Sequence, residues 1–81
     1  MMEITILSPE GTIFQGQCDF VKFQALNGEI GILSNHAPML ALLKEGKVFI
    51  RQEHGKEIAV DIPPAICKVL SNRIIILCTQ K

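Results

Sequence analysis

Short runs of alternating apolar and polar residues, broken every 8–12 residues by turn-forming pairs, set the limits on what this chain can fold into. Residues 3–7 (Glu-Ile-Thr-Ile-Leu) begin with a period of two, the repeat of a strand with one face buried. Ser8-Pro9-Glu10-Gly11 reads as a turn, because proline presets one dihedral and glycine accepts the reversal. Thr12 to Gln15 resumes an extended run that Gly16 breaks. Alternation returns over 18–25, with a change of phase between Phe20 and Val21 that suggests a bulge or a strand buried on both sides. Asn27-Gly28 is a tight-turn pair leading into 29–33, and Glu45-Gly46 is a second turn.

Beyond it, 48–52 reads as a strand, His54-Gly55-Lys56 as a hairpin turn and 57–62 as its partner, with Ile58, Val60 and Ile62 on one face. Pro63-Pro64 breaks the pattern. Residues 65–70 and 73–79 form a last hairpin around Ser71-Asn72. Ile74-Ile75-Ile76-Leu77 is continuously apolar, which predicts a strand covered on both faces. Only 34–43 is ambiguous: Met39, Leu40, Leu42 and Leu43 fit a short helical turn with Pro38 in its first turn, although the run is short for a helix. Eight or nine short strands with no long helix predict an all-β fold, an antiparallel β-sandwich or flattened barrel.

With 81 residues there is room for one domain, 1–81, and for a stability of only about 3–5 kcal/mol. Hydrophobic residues make up 48%, enough for a core. The formal net charge is zero and the eight Lys and Arg are scattered, which disfavours nucleic acid and an anionic membrane surface as partners. No apolar run reaches the roughly 18 residues of a membrane helix, so direct membrane insertion is not expected. Cys18, Cys67 and Cys78 are odd in number and have no short-range pairing, so they read as small apolar side chains in a reducing compartment.

Catalytic and cofactor signals are sparse. The two histidines, His36 and His54, have no metal-ligand spacing, and His54 reads as an exposed turn residue. Cys18 with His36 has no nucleophile–base signature. Neither G-x-x-x-x-G-K-[ST] nor G-x-G-x-x-G occurs, so no nucleotide cofactor is indicated. What stands out is 27–38: a turn, an apolar run of Ile30, Ile32 and Leu33, and a polar Ser-Asn-His tip. Its residues alone fit an ordinary hairpin loop, or a rigid loop that presents Glu29, Asn35 and His36 to a partner.

Three blocks carry a resemblance over essentially the whole chain: S-P-E-G-x-x-F-x-G at 8–16, G-E-I-G-I-L-S-N-H-A-P-M-L at 28–40 and L-K-E-G-K-V at 43–48. The x-N-R-I-I-I-L run at 71–77 fits the same pattern. Together they resemble the ε subunit of bacterial and chloroplast F-type ATP synthase, whose mitochondrial counterpart is called δ. The resemblance implies a β-sandwich of two roughly five-stranded sheets in a non-catalytic central-stalk subunit. Its partners would be the γ subunit and the ring of c subunits, and its role the coupling of proton flow to ATP synthesis. It would sit peripherally, on the cytoplasmic face of the bacterial inner membrane.

Matching positions imply Glu29 and His36, with Asn35 between them, on the ring side, and Ser8 on the side approached by γ. Two departures qualify the match. Family members usually continue into a C-terminal helical hairpin that restrains ATP hydrolysis, whereas this sequence ends at Lys81 without a charged helical start, which predicts a naturally short form. Pro63-Pro64 stands where the family has Gly-Gly, which places that strand entry at an edge or turn. The alternative from a different class is a stand-alone β-barrel module for a peptide or small ligand. It predicts an apolar pocket inside the monomer, where a stalk subunit predicts a filled core and an apolar outer patch.

Overall fold

Extended chain dominates the computed structural model, which describes residues 1–79. Its nine strands are β1 (Met2–Ser8), β2 (Gly11–Cys18), β3 (Phe20–Ala25), β4 (Gly28–Leu33), β5 (Met39–Leu43), β6 (Gly46–Arg51), β7 (Glu57–Ile62), β8 (Ala65–Leu70) and β9 (Arg73–Cys78). They pair along one path, β2-β1-β9-β8-β5-β3-β6-β7, with β4 on β3. The β5–β3 link is thin, resting on one register pair, Ala25 with Leu43. Two backbone bonds reinforce it, from the Leu26 N–H to the Leu42 carbonyl (3.0 Å) and from the Lys44 N–H to the Gln24 carbonyl (2.9 Å). The path therefore divides into a five-stranded sheet, β2-β1-β9-β8-β5, and a four-stranded sheet, β4-β3-β6-β7, folded against each other at that corner.

All pairs are antiparallel except β1–β9, which run parallel from Glu3↔Arg73 to Leu7↔Leu77. Nothing local in the sequence encodes that pair, since the partners lie at opposite ends of the chain. The change of phase read between Phe20 and Val21 is no bulge: Cys18 ends β2, Asp19 bends, and β3 runs unbroken from Phe20 with Val21, Phe23 and Ala25 inward. The bulge lies elsewhere, where Ile6 pairs with Phe14 but Leu7 with Thr12, leaving Ile13 as the extra residue. The ambiguous 39–43 segment is a strand, because β8 offers it a full ladder from Met39↔Val69 to Leu43↔Ala65. A single 3-10 turn, Glu53–Gly55, takes the place of the simple hairpin turn expected around His54. The exposure expected of the His54 side chain lies outside the described part of the structure.

The inward faces build one core. Met2, Ile4, Ile6, Val21, Phe23, Ile32, Val48, Ile50, Val69, Ile74 and Ile76 are at most 1% exposed, and no polar or charged residue among those described is buried with them. Ile58, Val60 and Ile62 do share the inward face of β7, although only Ile62 is fully buried. The run 74–77 departs from expectation: Ile74 and Ile76 are buried, but Leu77 is 47% exposed on the outer face. The described residues cover that strand on one side only.

All three cysteines are free and buried. Burial pushes the Cys18 thiol up to about 11, with the neighbouring Asp19 charge adding to the rise and the terminal amine opposing it. Burial alone pushes Cys67 up to about 12, from an ordinary 9.0, and raises Cys78 as well. Above pH 9 the unfolded thiols release protons that the folded ones keep, so the folded state binds more protons and stability falls as pH rises. The slope is up to about 1.4 kcal/mol per pH unit for each thiol. The urea midpoint is therefore expected to be level from pH 7 to 8.5 and to fall between pH 9 and 11. A Cys18→Ala/Cys67→Ala variant loses most of that fall, and a wild-type midpoint independent of pH over this range contradicts the assignment.

Candidate functional site

The ladders sort the connections to two ends of the sandwich. Turn 8–11, turn 26–27, corner 44–45 and Pro63-Pro64 lie at one end, since Ser8 pairs with Gly11, Ala25 with both Gly28 and Leu43, and Gly46 with Ile62. Loop 34–38, residues 52–56 and turn 71–72 lie at the other. Glu29 and Ser8 are consequently at the first end, and Asn35 and His36 at the second. Strand β4 from Glu29 to Leu33 spans about 13 Å, and Asn35 lies in the turn beyond it. The structure therefore does not gather Glu29, Asn35 and His36 into one loop tip. Glu29 lies on β4 and Asn35 and His36 in the loop that follows it; among the described residues β4 pairs with β3 alone and has no partner along its other edge.

Each of these residues is held differently. Glu29 faces out of the four-stranded sheet opposite Gln24, whose Nε2 donates to Glu29 Oε2 at 3.3 Å. The Lys22 ammonium lies 3.8 Å from the same oxygen, an exposed pair worth no more than about 1 kcal/mol. Asn35 takes a left-handed backbone (φ 65°), a conformation asparagine tolerates better than most residues. Its N–H donates to Asn72 Oδ1 at 2.7 Å, and Asn72 Nδ2 donates back to Asn35 Oδ1 at 3.2 Å. His36 is half-buried, with Nδ1 2.7 Å from the Ala37 carbonyl oxygen. A carbonyl can only accept, so Nδ1 carries the proton in this contact. Ser8 is occupied by its own turn: its Oγ donates to the Gly11 carbonyl at 3.2 Å and accepts the Glu10 N–H at 3.3 Å.

Gly31, in the middle of β4, has a packing role. A Cβ there would lie 3.1 Å from the Phe20 ring, which leans across from β3. The Arg51 guanidinium sits 5.2 Å from the centre of the same ring, and the Lys22 ammonium 5.1 Å from that of Phe49. Arg51 also bonds Asp19 Oδ1 at 2.8 Å, and Lys47 bonds Asp61 at 2.8 Å. The outer face of the four-stranded sheet thus carries self-paired charges, beside exposed Phe49 and Leu33.

The outer face of the five-stranded sheet is the opposite. One register row runs Leu7–Leu77–Ile66–Leu42, and the next runs Thr5–Ile75–Lys68–Leu40. Four strands make each row about 14 Å across. Leu77, Leu42 and Leu40 are 47%, 53% and 71% exposed, and Lys68 is the one charge in the two rows. At the edge of this face, Leu40 and Leu42 continue into a groove of about 370 Å³ beside Leu26 and Ile30. A contiguous apolar patch of this kind on a small domain marks an interaction surface. Among the described residues, no group of His, Cys, Asp and Glu is placed to hold a metal ion, and no helix is long and apolar enough to cross a membrane.

A family model described as ATP synthase, Delta/Epsilon chain, beta-sandwich domain matches residues 1–80. The chain belongs to this family. Among its relatives, the ATP synthase epsilon chain of Brevibacillus brevis is 33% identical over 76 residues, covering 94% of this chain and 58% of that protein. The epsilon chain of Micrococcus luteus is 35% identical over 79 residues, covering 98% of this chain and 87% of that protein. A chain in the mitochondrial ATP synthase of Euglena gracilis has the same fold, with a TM-score of 0.89 at 20% identity, over 98% of this chain and 51% of that one. Within the Delta/Epsilon family frame, the 28–40 block that carried the resemblance is β4 with its loop and the start of β5. Sequence reading singled out Glu29, Asn35 and His36 there. It missed the outer apolar rows, whose one visible signal was the unbroken Ile74–Leu77 run, and it read Asn72 as turn chemistry only.

Proposed function

We propose that this chain is the β-sandwich part of a non-catalytic central-stalk subunit of an F-type ATP synthase, linking the γ subunit to the c-ring and coupling proton flow to ATP synthesis. The observation that carries this reading is the contrast between the two outer faces. The core is filled and the four-stranded sheet pairs its own charges, while the five-stranded sheet leaves Leu7, Leu40, Leu42, Ile66 and Leu77 for a partner to cover. That face takes γ, with Ser8 beside Leu7 at its border. The free β4 edge lies along the ring, with Glu29 near one end and Asn35 and His36 beyond the other. A contact that runs the length of β4 resists rotation of the subunit on the ring better than a single loop tip, because its polar anchors act at a separation. In a bacterium this puts the chain on the cytoplasmic face of the inner membrane.

The Leu40–Leu42 groove lies on the outside of the sandwich, which favours a docking subunit over a module that encloses a ligand. A pull-down tests the reading. Tagged chain added to detergent-solubilised membranes depleted of it is expected to recover γ and the c-ring together. Recovery of neither, with the tagged chain folded, overturns it.

A further inference from the structure

Asn72 lies 37 positions from Asn35 in sequence, in the two-residue turn between β8 and β9, yet the two amides meet. The contact is reciprocal, since each residue supplies an oxygen and receives an N–H from the other. The backbone carbonyl of Asn72 also accepts the Glu3 N–H at 2.9 Å, which ties β1 to the same turn. Ser71 precedes it with a left-handed backbone (φ 46°). One side chain from the five-stranded sheet thus grips the connection that leaves the four-stranded sheet. The gripped residue is Asn35, held at φ 65°, and His36 follows it directly.

We propose that Asn72 is the positioning residue of the 34–38 connection, fixing Asn35 and His36 in the conformation that engages the ring. This rests on the stalk reading above. The physical argument is preorganisation. The loop is exposed, and binding would otherwise have to order its backbone, a cost that lowers affinity. The Asn35 N–H bond to Asn72 Oδ1 removes that freedom before contact, and it does so without Asn72 itself having to touch the partner. Asn72→Asp keeps the acceptor for the Asn35 N–H, and the Asn35 amide can turn to donate to the second oxygen. Asn72→Ala removes both bonds but leaves the backbone bond from Glu3.

Membranes depleted of the chain are titrated with wild type, Asn72→Ala and Asn72→Asp, with recovery of ATP-driven proton pumping as the signal. Asn72→Ala is expected to need at least ~10-fold more protein for half-maximal recovery and to reach the same plateau, while Asn72→Asp stays within ~3-fold of wild type. In the isolated chain, amide hydrogen exchange at Asn35 is expected to accelerate at least ~10-fold in Asn72→Ala, with core amides such as Ile74 and Ile76 unchanged. A merely structural Asn72 would instead speed exchange throughout and lower the plateau, and that pattern overturns the inference. So does an Asn72→Ala titration that overlays wild type. If wild type itself restores no pumping, the stalk reading fails first, and the failure is visible without any variant.

Discussion

Leu42→Glu combined with Leu77→Glu is expected to abolish assembly with γ while the isolated domain stays folded. Both leucines are about half exposed on the outer face and lie in one register row, separated by Ile66. In the free chain the two carboxylates stand in water two strands apart, about 10 Å, where salt largely screens their repulsion. In the complex both would enter an apolar contact without partners, and burying even one unpaired charge costs several kcal/mol. Loss of about 3–5 kcal/mol corresponds to a fall of ~100-fold or more in affinity. Ala59→Glu provides the control: it adds the same charge to the outer face of the four-stranded sheet, at an exposed position next to Phe49 in the ladder. It is expected to leave assembly unchanged. Titration by surface-immobilised γ reads both effects, and equal binding by the double variant and wild type would remove the apolar face from the account.

The second large effect is on folding. Phe23, 1% exposed on the inward face of β3, is the largest of the fully buried side chains. Phe23→Ala removes its transfer energy and leaves a hole between the two sheets, a loss of about 3–5 kcal/mol. A domain of this size has about that much stability in total. The variant is therefore expected to be substantially unfolded at 37 °C, seen as loss of the strand signal in circular dichroism. A melting temperature within a few degrees of wild type would mean that the core is less tightly packed than described.

Much of the fold is legible because the period-two pattern is physical: strands β1 and β7 alternate in sequence as they do in burial, Ile4 and Ile6 inward of Glu3 and Thr5, Ile62 inward of Asp61. What is not legible depends on distant partners. The five apolar or small residues of β5 suit either a helix or a strand, and the ladder with β8 decides. The parallel β1–β9 pair joins the two ends of the chain, beyond the reach of any local signal.

The run Ile74–Leu77 is the more instructive case. Its composition predicts cover on both faces, and within this chain one face is open. Under the proposed function the pattern is consistent after all, because the missing cover is another subunit. The candidate site divides the same way. Glu29 and the Asn35–His36 pair are visible as polar residues on either side of an apolar run, but their placement toward opposite ends of β4 follows from strand geometry and not from spacing in the sequence. Asn72 is invisible without the fold, since its partner lies 37 positions away.

The central claim is that this chain couples the ring to the shaft. ATP-driven proton pumping by membranes stripped of the chain, measured before and after adding it back, tests that most directly. The account predicts that stripped membranes hydrolyse ATP with little or no pumping, and that the wild-type chain restores pumping. Full pumping by membranes shown to lack the chain would contradict it.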